Sequence, residues 1–236
     1  MGLAGAAATA GLWLPSAVNP GDSAEAAFVK PKYPSGVIWG LTNKAPRVAW
    51  TVDDGASETA LHNYIEFAHN TGTRLTFFVT SNNRPWRNVR NQLLPLVKTG
   101  QIQLGNHTKS HADLTKLQGW AIRRELNECA KFIQGEYGVT PAPVFRPPFG
   151  YYDDRVRREA ALGGYRSCVM WYGSLGDGGN ITARQRLYLA DKWMTAGRIV
   201  IAHANEPTSP GDLLKIRHII DSRGLRTVTL GDIWRP

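Results

Sequence analysis

Two short stretches of the sequence carry side chains of the kinds that bind divalent metal ions. The stretch WTVDDGAS places two carboxylates, Asp53 and Asp54, at the end of an apolar run and directly before Gly55. The stretch HTKSH places His107 and His111 four residues apart, so that both imidazoles can face one ion from a helical turn. Two histidines and one carboxylate leave coordination positions for water and substrate, which suits zinc or another borderline divalent metal. The second aspartate is then available as a general base, because the charge of the ion offsets the repulsion between the carboxylates.

Each of these stretches also has a simpler interpretation. An Asp-Gly pair is common in exposed turns, and two histidines four residues apart occur on solvated turns. Three more polar residues follow apolar runs: Arg146 in VFRPPFG, Asp177 in LGDGG and His203 in IVIAH. Taken singly, they fit a surface arginine, a mobile glycine-rich turn and a structural histidine. Chemistry is favoured because all of these residues lie near the carboxyl ends of the predicted strands or in the loops that follow them.

The positions of the strands follow from the hydrophobic pattern. Seven apolar runs rich in Val, Ile, Phe and Thr predict strands at 47–54, 74–80, 101–108, 143–150, 165–171, 198–203 and 226–234. Helical patterns separate the runs and end at glycines. This alternation predicts a parallel sheet, either an open doubly wound sheet or a (β/α) barrel. No glycine-rich phosphate loop follows the first strand, which disfavours a nucleotide-binding sheet. In both architectures functional residues lie at the carboxyl ends of strands, where the candidate residues are found.

The composition is that of an ordinary globular protein, with 236 residues, 42% hydrophobic and 20% charged. The net charge of +9 favours an anionic partner, either nucleic acid or an acidic polymer such as a bacterial cell wall. Nucleic acid is disfavoured because the basic residues are dispersed along the chain. Cys129 and Cys168 belong to no C-x-x-C pair, so a cysteine zinc site is not expected. They are either buried free thiols, the favoured interpretation, or one disulfide in an exported protein.

The first part of the chain differs from the rest. Residues 1–36 are expected to be an Ala/Gly-rich leader or the remnant of an export signal, although residues 1–28 contain no Lys or Arg for a positively charged n-region. No segment approaches the roughly 20 apolar residues of a membrane span. The expected location is secreted or associated with the cell wall.

Taken together and in order, five segments resemble the motifs of the NodB-type polysaccharide deacetylases, the fourth family of carbohydrate esterases. The resemblance runs from about Arg47 to the C-terminus. The first motif is TVDDG, and the resemblance implies that Asp53 is the catalytic base and Asp54 a metal ligand. The second is HTKSH, which supplies the ligands His107 and His111.

The third and fifth motifs imply the remaining catalytic roles. In RPPF, Arg146 is implied to orient the base, and the backbone N–H of Phe149 to hold the oxyanion. In IAH, Ile201 is implied to line the acetyl pocket and His203 to act as general acid.

The fourth motif departs from the family pattern. In WYGSLGDGG, Ser174 and Gly178 stand in place of the first Asp and the Trp of the family, whereas Asp177 matches the second Asp. Asp177 is expected to pair with Arg146, directly or through a water, because a guanidinium beside the base needs a carboxylate to stay oriented. Loss of the tryptophan is expected to change the shape of the substrate groove more than the chemistry. Trp171 is a further candidate for substrate contact.

Aromatic side chains are the other candidates for sugar contact. Those predicted to be exposed and to stack on sugar rings are Trp86, Tyr151, Tyr152 and Tyr172. Trp120 lies in an amphipathic helical pattern and is predicted to pack in the core instead.

The resemblance implies a single domain over 37–236 with the fold of a distorted (β/α) barrel of about seven parallel strands. It implies a metal-dependent hydrolase that removes N-acetyl groups from an N-acetylglucosamine polymer, peptidoglycan or chitin, and releases acetate. One divalent metal is expected, with zinc favoured over cobalt, nickel and manganese. An O-acetyl esterase acting on acetylated xylan or muramic acid is one alternative, and a weakly active sugar-binding protein is another. The expected partner is an acetylated polysaccharide, without nucleic acid, and the chain is expected to be a monomer.

Overall fold

The computed structural model describes residues 29–236, so most of the predicted leader lies outside the described residues. The strands are β1 (Gly36–Ile38), β2 (Arg47–Asp54), β3 (Leu75–Val79), β4 (Ile102–Asn106), β5 (Val144–Phe145), β6 (Ser167–Val169), β7 (Gly173–Ser174), β8 (Ile199–His203) and β9 (Arg226–Thr227). The α-helices are α1 (Glu58–Thr71), α2 (Pro85–Asn88), α3 (Arg90–Lys98), α4 (Gly119–Tyr137), α5 (Asp154–Leu162), α6 (Ala183–Trp193), α7 (Pro210–Ser222) and α8 (Leu230–Ile233).

The strands form one parallel sheet that curls into a distorted barrel, as predicted. Their order is β1-β6-β5-β4-β3-β2-β8-β7, and β9 adds to the start of β2. The chain passes from β6 to β7 within a few residues, although these strands pair at opposite sides of the sheet. This short connection brings the two sides of the sheet together. All seven predicted strands contribute to the sheet, whereas the short strands β1 and β7 were not predicted.

Two of the predicted strands are much shorter than their apolar runs, for local reasons. In the run 143–150 only two residues pair as a strand, since Pro147 and Pro148 have no N–H to donate. In the run 226–234 the strand ends at Thr227, and Thr229 begins α8. Thr229 and Asp232 bond each other's backbone N–H groups in a capping box, which favours a helix over continued pairing.

Strand β2 shows how the barrel divides its side chains. Val48, Trp50 and Val52 face outward into a core shared with helices α1, α4 and α7. Ala49 faces the barrel interior with Phe78 of β3. Because side chains alternate along a strand, Thr51 and Asp53 follow Ala49 on the interior face. The interior therefore changes from apolar to polar towards the carboxyl end of β2.

The amino end of the barrel is closed by the last helix. Leu230 and Ile233 of α8 and the buried Trp234 pack with the apolar interior residues. Elsewhere in the core, Cys129 and Cys168 are buried free thiols, in agreement with the favoured interpretation. Within residues 29–236, no helix has both the length and the apolar character needed to cross a bilayer.

Candidate active site

Parallel pairing gathers the candidate residues at the carboxyl edge of the sheet. In the register of the strands, Asp53 lies beside His203, and Asp54 lies beside Val79 at the end of β3. Val79 pairs in turn with Asn106, the last residue of β4, and His107 follows directly. Side chains more than 50 residues apart in the sequence thus share one edge.

Asp54, His107 and His111 form a cluster suited to a metal ion. Nε2 of His107 lies 3.2 Å from Oδ1 of Asp54, and Nε2 of His111 lies 3.1 Å from the same oxygen. The three ligand atoms all lie within 4.8 Å of one another. No other group of three or more His, Cys, Asp or Glu side chains within residues 29–236 is arranged in this way.

The hydrogen bonding around the cluster fits a cation at its centre. Nδ1 of His107 lies 2.7 Å from the backbone oxygen of Arg146, to which it can only donate. In the neutral ring, Nε2 therefore carries the lone pair that faces Asp54. Oδ1 of Asp54 is buried and accepts no hydrogen bond from a described residue. Lone pairs that converge on one point are favourable only around a cation, so this donor set fits a divalent metal such as zinc.

Charges within the cluster keep Asp54 ionised. Burial favours a higher pKa for Asp54, but the adjacent imidazoles of His107 and His111, when they carry a positive charge, hold the pKa well below its usual range. Burial likewise favours a lower pKa for His107, yet the carboxylates of Asp53 and Asp54 raise it. A proton and a metal ion therefore compete for the same imidazole nitrogen.

The two histidines converge without the predicted helical turn. Residues 107–111 are irregular, and Thr108 and His111 have positive φ angles of 71° and 59°. Oγ1 of Thr108 accepts a hydrogen bond from the backbone N–H of His111 at 3.1 Å. Oε2 of Glu125, on α4, accepts one from Ser110 at 2.8 Å. Side-chain acceptors thus replace helical hydrogen bonds, and the prediction of a helical turn is wrong.

Glycine follows the two aspartates because the backbone has a positive φ at position 55 and packs directly against Trp86. Asp54 has φ = 72°, a conformation that costs a residue with a side chain about 1–2 kcal/mol. Its carbonyl oxygen accepts hydrogen bonds from Nδ2 of Asn83 and Nε1 of Trp86, each at 2.9 Å. At Gly55 φ is 76°, and a Cβ atom there would lie 2.4 Å from the Trp86 ring. Trp86 is fully buried, so its predicted role as an exposed sugar platform is wrong.

Arg146 holds Asp53 from inside the barrel. Nη1 of Arg146 donates to Oδ1 of Asp53 at 2.6 Å and to Oγ1 of Thr51 at 2.8 Å. Its Nε and Nη2 donate to the backbone oxygens of Val169 and Met170. Arg146 is completely buried. Its position is fixed by acceptors on β2, on β6 and on Met170, the residue directly after β6. The predicted direct pair between Arg146 and Asp177 is not formed, because Asp53 is itself the carboxylate partner.

Asp177 pairs with His203 instead. Nδ1 of His203 lies 3.1 Å from Oδ1 of Asp177, which is buried. Burial favours a lower pKa for His203, but the hydrogen bond to Asp177 and the charges of Asp53 and Asp177 raise the pKa above its ordinary value. Gly178, in place of the tryptophan of the family motif, lies against the imidazole. A Cβ atom at Gly178 would be 3.2 Å from Cε1 of His203, so a larger residue would press on the ring.

The metal cluster, Asp53 and His203 line one cavity of about 420 Å³. Phe149, Trp171 and Ile201, three of the predicted substrate-contacting residues, form parts of its wall. The ring of Phe149 packs edge-on against His111 with 4.6 Å between centroids. Tyr151 packs against Phe149 with centroids 5.8 Å apart but lies outside the cavity lining.

Other aromatic side chains lie away from this cavity. Trp120 is exposed, contrary to the predicted core packing, and stacks with Arg124. Tyr172 is exposed as predicted, but it hydrogen bonds at the start of β8, towards the opposite end of the barrel. Tyr152 is half-buried beside a satellite core cluster.

Comparison with known proteins identifies the family to which this site belongs. A sequence model described as polysaccharide deacetylase matches residues 40–168, more than half of the chain. The chain belongs to the polysaccharide deacetylase family. The predictions of the family and of this enzyme class are confirmed.

Curated and structural relatives of this deacetylase family agree with the assignment. The chain is 27% identical over 205 residues to a peptidoglycan-N-acetylglucosamine deacetylase of Bacillus cereus, covering 84% of this chain and 93% of that protein. A chitin deacetylase of Colletotrichum lindemuthianum superposes with a TM-score of 0.75 at 19% identity, covering 85% of this chain and 92% of the other. A family 4 pseudoenzyme of Bacillus anthracis superposes with a TM-score of 0.73 at 19% identity, over 85% and 69% of the two chains. Since active and inactive proteins share this fold, an argument for activity has to rest on the side chains of the site.

The sequence analysis did not identify several residues that support the deacetylase-family site. Asn205 lines the cavity and donates from Nδ2 to Oδ2 of Asp54 at 2.6 Å. Its position two residues after His203, at the same strand end, was the available signal. Asn83 and Trp86 follow β3, and no chemical motif marks them.

Proposed function

We propose that the protein is a metal-dependent deacetylase that removes N-acetyl groups from an N-acetylglucosamine polysaccharide, peptidoglycan or chitin, and releases acetate. The observation that carries this proposal is the convergence of three units on one cavity: the Asp54–His107–His111 cluster, the Asp53–Arg146 pair and the His203–Asp177 pair. A protein that merely binds sugar has no need of a metal cluster flanked by a poised base and a poised acid.

Asp54, His107 and His111 would hold the metal, with zinc favoured by the two imidazoles and one carboxylate. A bound divalent metal at this position supplies Lewis-acid polarisation and water activation. Asp53 would take the proton of the attacking water. Arg146 suits it to that role, because a buried guanidinium at 2.6 Å fixes the orientation of the carboxylate.

Phe149 and His203 would complete the reaction. The backbone N–H of Phe149 is assigned to the developing oxyanion, a position at which a fixed donor has a large effect on the rate. His203 would donate its proton to the departing amine, which is a poor leaving group while unprotonated. Asp177 raises the pKa of His203, so more of the imidazole is charged near neutral pH.

The choice of polymer rests on the relatives and on charge. Peptidoglycan is favoured by the curated Bacillus cereus relative, which aligns along most of both chains. The net charge of +9 favours an anionic wall polymer over neutral chitin. We therefore propose that the protein acts at the cell wall, with residues 37–236 as its catalytic domain. The same groups suit an O-acetyl ester, so O-acetyl esterase activity is the second candidate.

Acetate release from three substrates tests the proposal. The purified protein would be given peptidoglycan, chitin oligomers and acetylated xylan, with and without prior removal of metal by a chelator. We expect release from the N-acetylated polymers, loss after chelation and recovery on adding zinc. His111→Ala should lose bound metal and activity together, whereas His218→Ala, on α7, is a matched control that should retain both. Release from xylan alone would favour the esterase, and no release from any substrate would favour the sugar-binding alternative.

A further inference from the structure

Asp54 presents its two oxygens to different neighbours. Oδ1 faces Nε2 of both His107 and His111, at 3.2 and 3.1 Å, and accepts no hydrogen bond from a described residue. Oδ2 accepts a short hydrogen bond from Nδ2 of Asn205 at 2.6 Å. One oxygen is therefore aimed into the ligand cluster, and the other is held by an amide.

The backbone around Asn205 is fixed by the neighbouring elements. The N–H of Ala204 donates to the carbonyl oxygen of Asp53 at 3.0 Å, which continues the pairing of β8 with β2. The carbonyl oxygen of Ala204 accepts the N–H of Ser57, the N-cap residue of α1, at 2.9 Å. The residue that precedes Asn205 is therefore held by hydrogen bonds from both of its backbone groups. These bonds fix the point from which the Asn205 side chain reaches Asp54.

The orientation of the Asn205 amide follows from its partner. The ionised carboxylate of Asp54 can only accept, so the atom of Asn205 that faces it must be the nitrogen. Oδ1 of Asn205 then points away from Asp54, is buried and accepts no hydrogen bond from a described residue. A buried acceptor without a partner is unfavourable, so the hydrogen bond that the nitrogen donates to Asp54 has to offset this cost. If the side chain only filled space here, an apolar residue would do so without leaving an acceptor unpaired.

We infer that Asn205 is a positioning residue that makes Asp54 a one-oxygen ligand of the metal. By occupying Oδ2, its N–H keeps the carboxylate from turning to coordinate through both oxygens. Three protein ligand atoms then hold the ion, and the remaining positions stay open for water and substrate, as a catalytic centre requires. Partners of this kind contribute to metal affinity through the ligand that they orient. This inference rests on the metal site proposed above. It adds a residue outside the three ligands that determines how Asp54 coordinates the metal.

The test compares two variants that remove the amide. Asn205→Leu keeps the size of the side chain and removes its donor, and Asn205→Ala removes both. Asn180→Ala, in the exposed turn that follows Gly178, is the matched control. The zinc dissociation constant of each protein would be measured by competition with a chromophoric chelator, after circular dichroism has shown that the metal-free variant is folded. We expect both Asn205 variants to bind zinc about 10- to 100-fold more weakly than the wild type. The control should bind as the wild type does.

The visible spectrum of the cobalt-substituted proteins provides a readout that a packing defect would not change. A carboxylate free to bind through both oxygens raises the coordination number, and the Co²⁺ absorption bands weaken as the coordination number rises. We expect this weakening in the Leu and Ala variants and not in the control. Zinc affinities within twofold of wild type, or an unchanged cobalt spectrum in both folded variants, would overturn the role of Asn205 while leaving the metal site in place. A wild-type protein that binds neither metal would overturn the metal site itself, and this inference with it.

Discussion

The two ends of the barrel are built from the same strands but carry different arrangements of polar groups. At the amino end, Arg74 and Asp232 form a hydrogen-bonded ion pair, and α8 with Trp234 fills the interior. A cavity of about 680 Å³ lies beside them, larger than the one at the carboxyl end. At the carboxyl end, Oδ1 of Asp54 is left without a hydrogen-bond partner among residues 29–236. Buried atoms without a partner also occur at the amino end, where Nε1 of Trp234 has none among the described residues. The site is therefore recognised by the convergence of three metal-ligand atoms, whereas cavity volume points to the wrong end.

Backbone strain follows the same division. Four residues other than glycine within 29–236 have a positive φ, and all four lie at the carboxyl end: Asp54, Thr108, His111 and Phe149. Asp54 and His111 are proposed metal ligands, and Phe149 is the proposed oxyanion donor. Thr108 supports His111. Such conformations persist only where the surroundings hold them. If this contrast is correct, substitutions at the carboxyl end should reduce activity, and those at the amino end should reduce stability alone.

The largest effect is expected for Asp53→Asn. Removing the proposed base should lower kcat/KM by about 10²–10⁴-fold, and metal should still bind because Asp53 is not a ligand. Acetate release and zinc content measured on the same preparation check both parts. Asp191→Asn, at an exposed position on α6, is the control and should behave as wild type. A wild-type rate at pH 7 would require the two aspartates to exchange roles.

At the opposite end, Trp234→Ala should reduce the free energy of unfolding by about 3–5 kcal/mol, because a fully buried indole leaves a cavity. Denaturant unfolding measures this loss. The control is Trp39→Ala, since that indole is exposed and its removal should change stability little. At a temperature where the variant is folded, kcat/KM and zinc affinity should match the wild type. A folded variant with impaired turnover would mean that the two ends are coupled.

A smaller effect is expected for Asp177→Asn, seen mainly in the pH profile. His203 must be protonated to act as an acid, so activity falls as pH rises through its pKa in the folded protein. Asp177 raises that pKa, and replacing it with a neutral amide should move the fall in activity to lower pH. On the alkaline side, kcat/KM of the variant should therefore fall below that of the wild type. If the activity of the variant falls at the same pH as that of the wild type, His203 is not the general acid.

The smallest effect is expected for Thr229→Ala, which removes the N-cap of α8. Loss of a capping side chain should cost about 1 kcal/mol of stability. For a protein of this size, that corresponds to a decrease in Tm of about 2–4 °C. Calorimetry measures the decrease, and the acetate-release rate should be unchanged. A change in rate without a change in Tm would contradict the assignment of α8 to stability.

The sequence predicted those parts of the molecule that depend on periodicity and on chain direction. The alternation of apolar runs with helical patterns was sufficient for a parallel barrel, and parallel strands place Asp53 and His203 at one edge whatever their separation in the sequence. The length of β5 and β9 was not predicted, because prolines and a capping box act locally against an apolar run.

Contacts between side chains were harder to predict. The expected direct Arg146–Asp177 pair is not formed. Although the two residues follow neighbouring runs, Arg146 turns into the barrel towards Asp53, and Asp177 turns towards His203. The sequence contains no signal for that choice. The same holds for Trp86 and Asn83, whose hydrogen bonds to the Asp54 carbonyl depend on the path of the loop after β3.

The complete burial of Arg146 has a consequence for the response of the protein to salt. Its ion pair with Asp53 is 0% and 2% exposed, so mobile ions cannot enter between the charges. The excess of positive charge belongs to surface side chains, whose attraction for an anionic polymer is screened over about 8 Å at physiological ionic strength. Ionic strength should therefore change how readily the polymer is captured, and with it KM, while kcat stays nearly constant. On the proposed cell-wall substrate, the amount of bound enzyme would therefore follow the local charge density of the polymer, whereas the rate of the chemical step would not.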